Sequence, residues 1–451
     1  MPYSLRTIPA AGKFCQELTL DALARAIPPS LIAAVLADLD AQAQRERKLS
    51  MPVVLRALIA MNRYTHLAMQ HVLRRVAQGL RYVWPAPTYR MPGKSASCYR
   101  RYRWGARPLA ALLQRACRPL TTPATPGAYR FGLRLLALAG TLEDVPDPPA
   151  NARAFGRQSG KRGSAAFPQV RGVYLAACGS HAIAAAGFWP CHTSARVGGQ
   201  RLLRSVGPGT LLLWDHNFHS YAMVAATVQR GAAVLGRLPA RGKPEVTRAP
   251  PDGARRDPDA QIVVRRLTHT LTAPARPGYA EVHRRITTLL DPALAPARDR
   301  IGADHERGEF ELTIDELDTH QRRAGPPLRS QRPVGVIQEP HALLLAHYAV
   351  RTLLHAAACQ AGRDPDRLSF VQAVRLSRAA IPEFQQTAPA DHPQRYARLR
   401  ADLLLDLLPP RRERGYPRVV KRTSTKSHRN RPEHAHWPQP GGPFRAAVAL
   451  I

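Results

Sequence analysis

From Leu18 to Leu120 apolar residues recur three and four positions apart, in LDALARAIPPSLIAAVLADL and again in MPVVLRALIAMNRYTHLAMQHVLRRVA. That is the spacing of helices that bury one face, and it predicts an all-helical N-terminal domain over residues 1–120. A Pro/Thr/Gly linker, Thr121 to Gly127, interrupts the pattern. Beyond it LRLLALAG is a short apolar run closed by glycine, the pattern of a buried strand. VYLAACGSHAIAAAGFW carries Gly-Ser at its middle and predicts a hairpin. LLLWDHNF predicts a second buried strand ending at Asp215, followed by a helix in SYAMVAATVQRGAAVLG. Strands in quick succession, then strand and helix, predict an α/β core.

The run from Pro239 to Pro277 is rich in Pro, Gly and Arg, with QIVVRRLTHTLTA as its strand-like part. It is expected to be an insertion, residues 239–284, dividing the core into 129–238 and 285–385. Helical patterns resume in ARDRIGADHERGEFELTIDELDTHQRR, EPHALLLAHYAVRTLLHAAACQ and LSFVQAVRLSRAAI, and residues 386–451 form a basic C-terminal region. Such Pro/Arg/Lys blocks lie on the surface or stay unfolded until they meet a polyanion.

Charge changes the picture most. The 451 residues hold 66 Lys+Arg against 32 Asp+Glu, a net charge of +34, which repels itself unless a polyanion neutralises it. Nucleic acid is the expected partner. KSASCYRRYRWGARPLAALL concentrates the signal: Lys94, Arg100, Arg101, Arg103 and Arg107, with Tyr99, Tyr102 and Trp104, are placed either to hold phosphates or to form a solvated basic face. No window reaches the roughly 18–20 uninterrupted apolar residues of a membrane span, and the first residues lack the apolar stretch of a secretory signal. A cytoplasmic, nucleoid-associated protein without a membrane partner is expected. The six cysteines are scattered, with no Cys-x-x-Cys pair, so zinc and disulfides are not expected.

Two segments could carry chemistry. Two-metal phosphoryl transfer needs carboxylates held close together on rigid elements, and Asp215 stands where a buried strand opens into a loop. The same position also suits a helix cap or turn residue. In DHERGEFELTIDELD, Arg307 and Glu311 are four apart, with Phe310, Ile314 and Leu317 as an adjoining apolar stripe. This is either a docked helix with a metal ligand at the core edge or an ordinary exposed ion pair.

Taken together, these segments resemble the insertion element four family of DDE transposases, across nearly the whole chain. LAGTLEDVPDPPANARAFG resembles that family's strand-end motif L-D-G-T-T-L-D-V-P-D-T, SAAFPQVRGVYLAACGSHAI its following hairpin, and GPGTLLLWDHNFHSY its second-aspartate motif. Arg307 and Glu311 match the Arg and Glu of the signature Y-(2)-R-(3)-E-(6)-K. RERGYPRVVKR resembles the basic tail motif, which adds Arg418, Lys421 and Arg422 to the expected DNA contacts. The resemblance implies a ribonuclease H-like core with a β-rich insertion. It also implies two Mg2+ (or Mn2+) ions held by Asp215, Glu311 and a first aspartate, with Arg307 orienting Glu311 or touching phosphate. Double-stranded DNA, as element ends and target, would be the partner of a homodimer.

The departures fall where the chemistry would be. Ala139 stands at the first aspartate, Asp304 at the signature tyrosine, Asp318 at its lysine, and His216-Asn217 at the usual Arg-Gly. Positions 304, 311 and 318 are seven apart, so one continuous helix would place them on one face, with Asp318 repelling phosphate. Asp144 and Asp147 are expected beyond the strand end, too far along to replace a ligand at 139. The expectation is a transposase impaired in cleavage and strand transfer. The alternatives are a non-catalytic DNA-binding relic or regulator of transposition, and a nuclease that cuts without joining.

Overall fold

The computed structural model describes residues 3–9, 17, 20–41, 50–85, 93–160, 163–239, 254–256, 262–274, 276, 278–322, 327–409 and 442–451. The expected DNA contacts Arg418, Lys421 and Arg422 lie outside the described residues. The chain begins with helices α1 (Pro29–Asp38), α2 (Met51–Met61), α3 (Met69–Val76), α4 (Lys94–Arg103) and α5 (Arg107–Ala116). Strands β1 (Tyr129–Arg130) and β2 (Leu133–Asp144) follow, then α6 (Pro149–Phe155) and the short pair β3 (Ser159–Gly160) and β4 (Gly163–Ser164). Next come β5 (Gln169–Ala177), β6 (Ala182–Pro190), α7 (Ala195–Leu202), β7 (Thr210–Trp214), α8 (Tyr221–Gln229) and β8 (Ala233–Arg237). Strands β9 (Ala254–Arg256), β10 (Val263–Leu271) and β11 (His283–Thr287) precede α9 (Ala297–His305) and α10 (Gly308–Asp315). A π-helical turn (Glu316–Gln321), α11 (Pro333–Gln360), α12 (Phe370–Gln386), α13 (His392–Leu403) and β12 (Val448–Leu450) complete this mixed α/β chain.

Two compact units divide it: Met1–Ala128, Ala139–Ser205 and Glu309–Leu408 in the first, Tyr129–Leu138, Val206–Gly308 and Pro409–Ile451 in the second. The helices before the linker thus share a unit with the hairpin and α11–α13.

In the first unit β5 and β6 pair antiparallel from Val170↔Pro190 to Ala177↔Ala182. The Gly-Ser dipeptide makes the turn as expected, with Gly179 at φ +77°, where a Cβ would meet the backbone of Pro126 and Ala128. The apolar helix α11 is buried over most of its length. By length and composition it could cross a membrane, but 83% of its most apolar stretch is buried inside the protein. Its polar residues are matched internally: Arg351 and His347 both bond the buried Glu316 carboxylate of the π-helical turn, His347 at 3.0 Å. The helical pattern of residues 51–77 is split into α2 and α3, because Asn62 ends α2 and returns its side-chain amide to the Leu58 carbonyl at 3.0 Å.

The second unit holds a mixed sheet in the order β12-β10-β11-β8-β7-β2. The first half of β2 pairs in parallel with β7, Leu138 opposite Trp214, and β7 pairs in parallel with β8. β8, β11, β10 and β12 are joined antiparallel. Every residue of β7 is buried, and Ser220 caps α8 by accepting from the Met223 N–H at 3.2 Å.

Candidate active site

Trp214 is fully buried at the end of β7, so the chain emerges at Asp215, which is half-buried. Its carboxylate is already engaged. One oxygen accepts from the Asn217 N–H at 2.9 Å and the other from the Asn217 side-chain amide at 3.0 Å. Its carbonyl accepts from Phe218 at 3.2 Å. Asp215 is thus a turn residue, and Asn217 is what holds its second oxygen; glycine, the residue of the resembling motif, has no side chain to do so.

Strand β2 runs on to Asp144, which corrects the expectation that Asp144 lies beyond the strand end. Ala139 follows Leu138, the residue paired with Trp214, and it offers no ligand. By strand alternation Ala139, Thr141 and Glu143 share one face and Asp144 has the other. Asp144 accepts from Gln169 at 2.9 Å, and Asp147 is ion-paired with Arg157.

The segment expected to be one helix is broken. The chain turns at Glu306–Arg307 between α9 and α10, and α10 passes into the π-helical turn at Glu316. Positions 304, 311 and 318 therefore do not share one continuous helix, and the spacing that placed them on one face does not carry across the break. Phe310 and Leu317 are buried, as the apolar stripe requires. Glu311 is exposed. Arg307 sits in the turn rather than on the helix that carries Glu311, its Nε buried and without a hydrogen-bond partner among the described residues.

Asp304, in the second unit, is 3% exposed. It accepts from Arg285 Nε at 2.7 Å, with Arg237 Nε at 3.6 Å. Burial opposes its ionisation, but Arg285, Arg237 and Arg307 outweigh that and hold its carboxyl below the usual range. Arg285 also donates to His269 Nε2 at 2.8 Å. Burial, with Arg285 and His283 nearby, lowers that imidazole to about 3 and keeps it neutral.

Asp318, in the first unit, meets Glu143 and Arg322. Glu143 is 5% exposed and ion-paired with Arg322. Burial raises it to about 7, with Asp318 adding to the rise against the pull of Arg322. Asp318 is raised too, by burial first. The two neighbouring carboxyls are both pushed toward holding a proton, against the pull of Arg322. Asp318 is thus drawn into an internal acid pair, which weakens its expected role as a charge set against phosphate.

A two-metal site requires several carboxylates converging with free oxygens. Among the described residues no group of three or more His, Cys, Asp or Glu is arranged to hold a metal ion. Asp215 is engaged by Asn217 and position 139 has no donor, so the residues present do not fit the two ions that the resemblance implies.

Residues 17–114 match the family described as insertion element 4 transposase N-terminal. The chain is also 27% identical over 419 residues to the transposase InsG for insertion sequence element IS4 of Escherichia coli (strain K12), covering 89% of this chain and 92% of that protein. The N-terminal part of the chain thus resembles the insertion element 4 transposases, and most of its length resembles an insertion-sequence transposase. Among solved structures, the cryo-EM structure of the piggyBac transposase synaptic complex with hairpin DNA overlaps 90% of this chain and 87% of that one. At a TM-score of 0.45 and 10% identity, that likeness is too loose to carry an argument.

The basic segment expected to meet DNA is α4 and the start of α5, and one of its expected DNA contacts is corrected. Arg101 is buried, donating to Gln338 at 2.8 Å, Ser330 at 2.6 Å and the Gly335 carbonyl at 2.9 Å, with Glu339 at 3.3 Å. It ties α4 to α11 and has no free face for DNA. Lys94, Arg103 and Arg107 are exposed, and Arg100 is half-buried with its guanidinium over Trp104. Pattern reading missed Glu143, Arg322, Arg285 and Arg237. Only Glu143 carried a local signal, as an acid where the strand-end motif has leucine.

Proposed function

We propose that this insertion-element transposase binds double-stranded DNA at element ends and has lost most of its cleavage and strand transfer. The reading rests on one observation. Ala139 and Asp215 are the residues that follow the paired Leu138 and Trp214 on neighbouring parallel strands, the first has no carboxylate, and the second has both oxygens bonded by Asn217. Glu311, on α10, is the third carboxylate of the family signature. The ribonuclease H-like core, the divalent-metal requirement of an intact site, the homodimer on paired ends and action at the nucleoid in the cytoplasm are parts of this same reading. The fate of Asp304 and Asp318, one neutralised by arginines and the other paired with Glu143, favours a chain kept for binding rather than cutting.

Strand cleavage and strand transfer on labelled element-end DNA with magnesium or manganese would test it. Wild type should be inactive, Ala139→Asp should restore cleavage, and Ala139→Asp with Asn217→Gly should restore more by freeing Asp215. Cleavage by wild type that Asp215→Ala abolishes would overturn the reading.

A further inference from the structure

Most buried arginines described above face an acid: Arg101 has Glu339, Arg285 has Asp304 and Arg351 has Glu316. One region of the first unit breaks that habit. A cleft of about 940 Å³ between α3, the 3-10 turn after it and α12 is lined by His66, His71, Arg74, Arg75 and Arg378, and by no acidic residue among the described residues.

The arrangement follows from helix geometry. In α3 and its continuation His71, Arg74, Arg75 and Gln78 recur at three- and four-residue spacing, on one face. Val72, Leu73 and Val76 occupy the other and are buried. The cations are therefore fixed on a docked helix rather than carried on a loose tail. Arg75 is steadied by Gln78 at 2.8 Å. From α12 Arg378 enters the cleft, its Nε buried without a hydrogen-bond partner among the described residues. Arg63 lies nearby, fully buried, bonded to the Ser377 hydroxyl and the Val374 carbonyl. Among the described residues its Nε and Nη1 have no hydrogen-bond partner and no carboxylate is ion-paired with it. Burial, and Arg378 beside it, lower it to about 9, which leaves it charged at neutral pH. Like charges inside one Debye length, about 10 Å at 0.1 M salt, repel one another, and an array of anions removes that repulsion.

We propose that this cleft is a docking groove for the phosphate backbone of duplex DNA, a DNA-contacting surface distinct from the α4–α5 segment. The assignment rests on the DNA-binding reading above. A duplex is favoured because the cations are spread along two helices and an open cleft, and a duplex presents one negative charge per roughly 1.7 Å of its axis. The contacts are to phosphate, so they position DNA without selecting sequence.

The test uses the full chain and fluorescence anisotropy at a series of salt concentrations. One duplex carries the element end and another, of equal length, is unrelated. The triple variant Arg74→Gln, Arg75→Gln, Arg378→Gln should weaken binding to both duplexes about 10- to 100-fold at low salt and reduce the log-log salt slope by about three. The triple Arg→Lys variant should keep the slope, and inorganic phosphate should compete only at concentrations far above those of duplex. If wild type binds and the Arg→Gln triple binds with an unchanged slope, the groove is overturned and the transposase reading stands. If wild type binds neither duplex, the DNA-binding reading itself falls. Loss in both triples with a lowered Tm would assign the effect to folding and overturn the groove.

Discussion

Asp304 and Glu143 are both almost wholly buried, yet the carboxyl of one is held below its ordinary range and that of the other is pushed up to about 7. Removing a carboxylate from water raises its pKa in either place. In the second unit Arg285 approaches Asp304 to 2.7 Å, with Arg237 and Arg307 adding to the field. In the first unit Glu143 has one arginine, Arg322, and must also face Asp318. What decides the ionisation of a buried acid here is the number of cations beside it set against the number of acids, not its depth. Both Asp304 and Asp318 depart from the family signature, and each is accommodated by neighbours of the opposite kind.

The largest effect expected from this comparison is at Asp304. Asp304→Asn leaves Arg285 buried without its counter-charge and should destabilise the protein by about 3–5 kcal/mol in urea unfolding. Asp304→Tyr, which restores the signature residue, should be no better. A loss below about 1 kcal/mol for Asp304→Asn would mean that the arginines are solvated well enough without it, and the contrast would collapse.

The two acids also predict opposite pH dependence. Asp304 is depressed, so its contribution is present above the unfolded value of about 3.9 and is lost as pH falls through the lower folded value. Glu143 is raised, so the native state binds the extra proton between about 4.3 and the folded value of about 7. Its contribution is complete below that window and is lost as pH rises through it, on the order of 3–4 kcal/mol. In unfolding followed from pH 4.5 to 8, Glu143 contributes a fall in stability with rising pH against the rise contributed by buried neutral imidazoles such as His269, and Glu143→Gln should remove that fall. An equal slope in wild type and Glu143→Gln would assign the titration to other groups.

How far the sequence could be read follows the range of the interactions involved. Strand β7, the β5–β6 hairpin and the first part of β2 are local runs of apolar residues closed by glycine or a turn, and they were legible. The single helix expected over residues 297–323 was not, because apolar spacing registers a face and not the break at Glu306–Arg307. Arg285 with Asp304, and Arg322 with Glu143, meet across 19 and 179 positions of sequence, and no local pattern announces such a pair. The same holds for Arg101, which reads as a phosphate contact until Glu339 of α11 is brought to it by the fold. Asp215 was legible as a strand-end carboxylate, whereas the capture of its second oxygen by Asn217 depends on a side-chain rotamer.

The smallest effect is the sharpest test of the Glu143 side of the comparison. Asp318→Asn removes the negative charge that helps raise Glu143 while leaving Arg322 and the burial unchanged. Glu143 should then release its proton at lower pH, and stability at pH 7–8 should rise by about 1 kcal/mol, while at pH 4.5, where Glu143 is protonated in either chain, the two proteins should differ less. The part of the pH profile that Glu143 contributes should become smaller and shift toward acid. If Asp318→Asn leaves that profile where it was, burial alone sets the state of Glu143, and the balance of charges explains only Asp304.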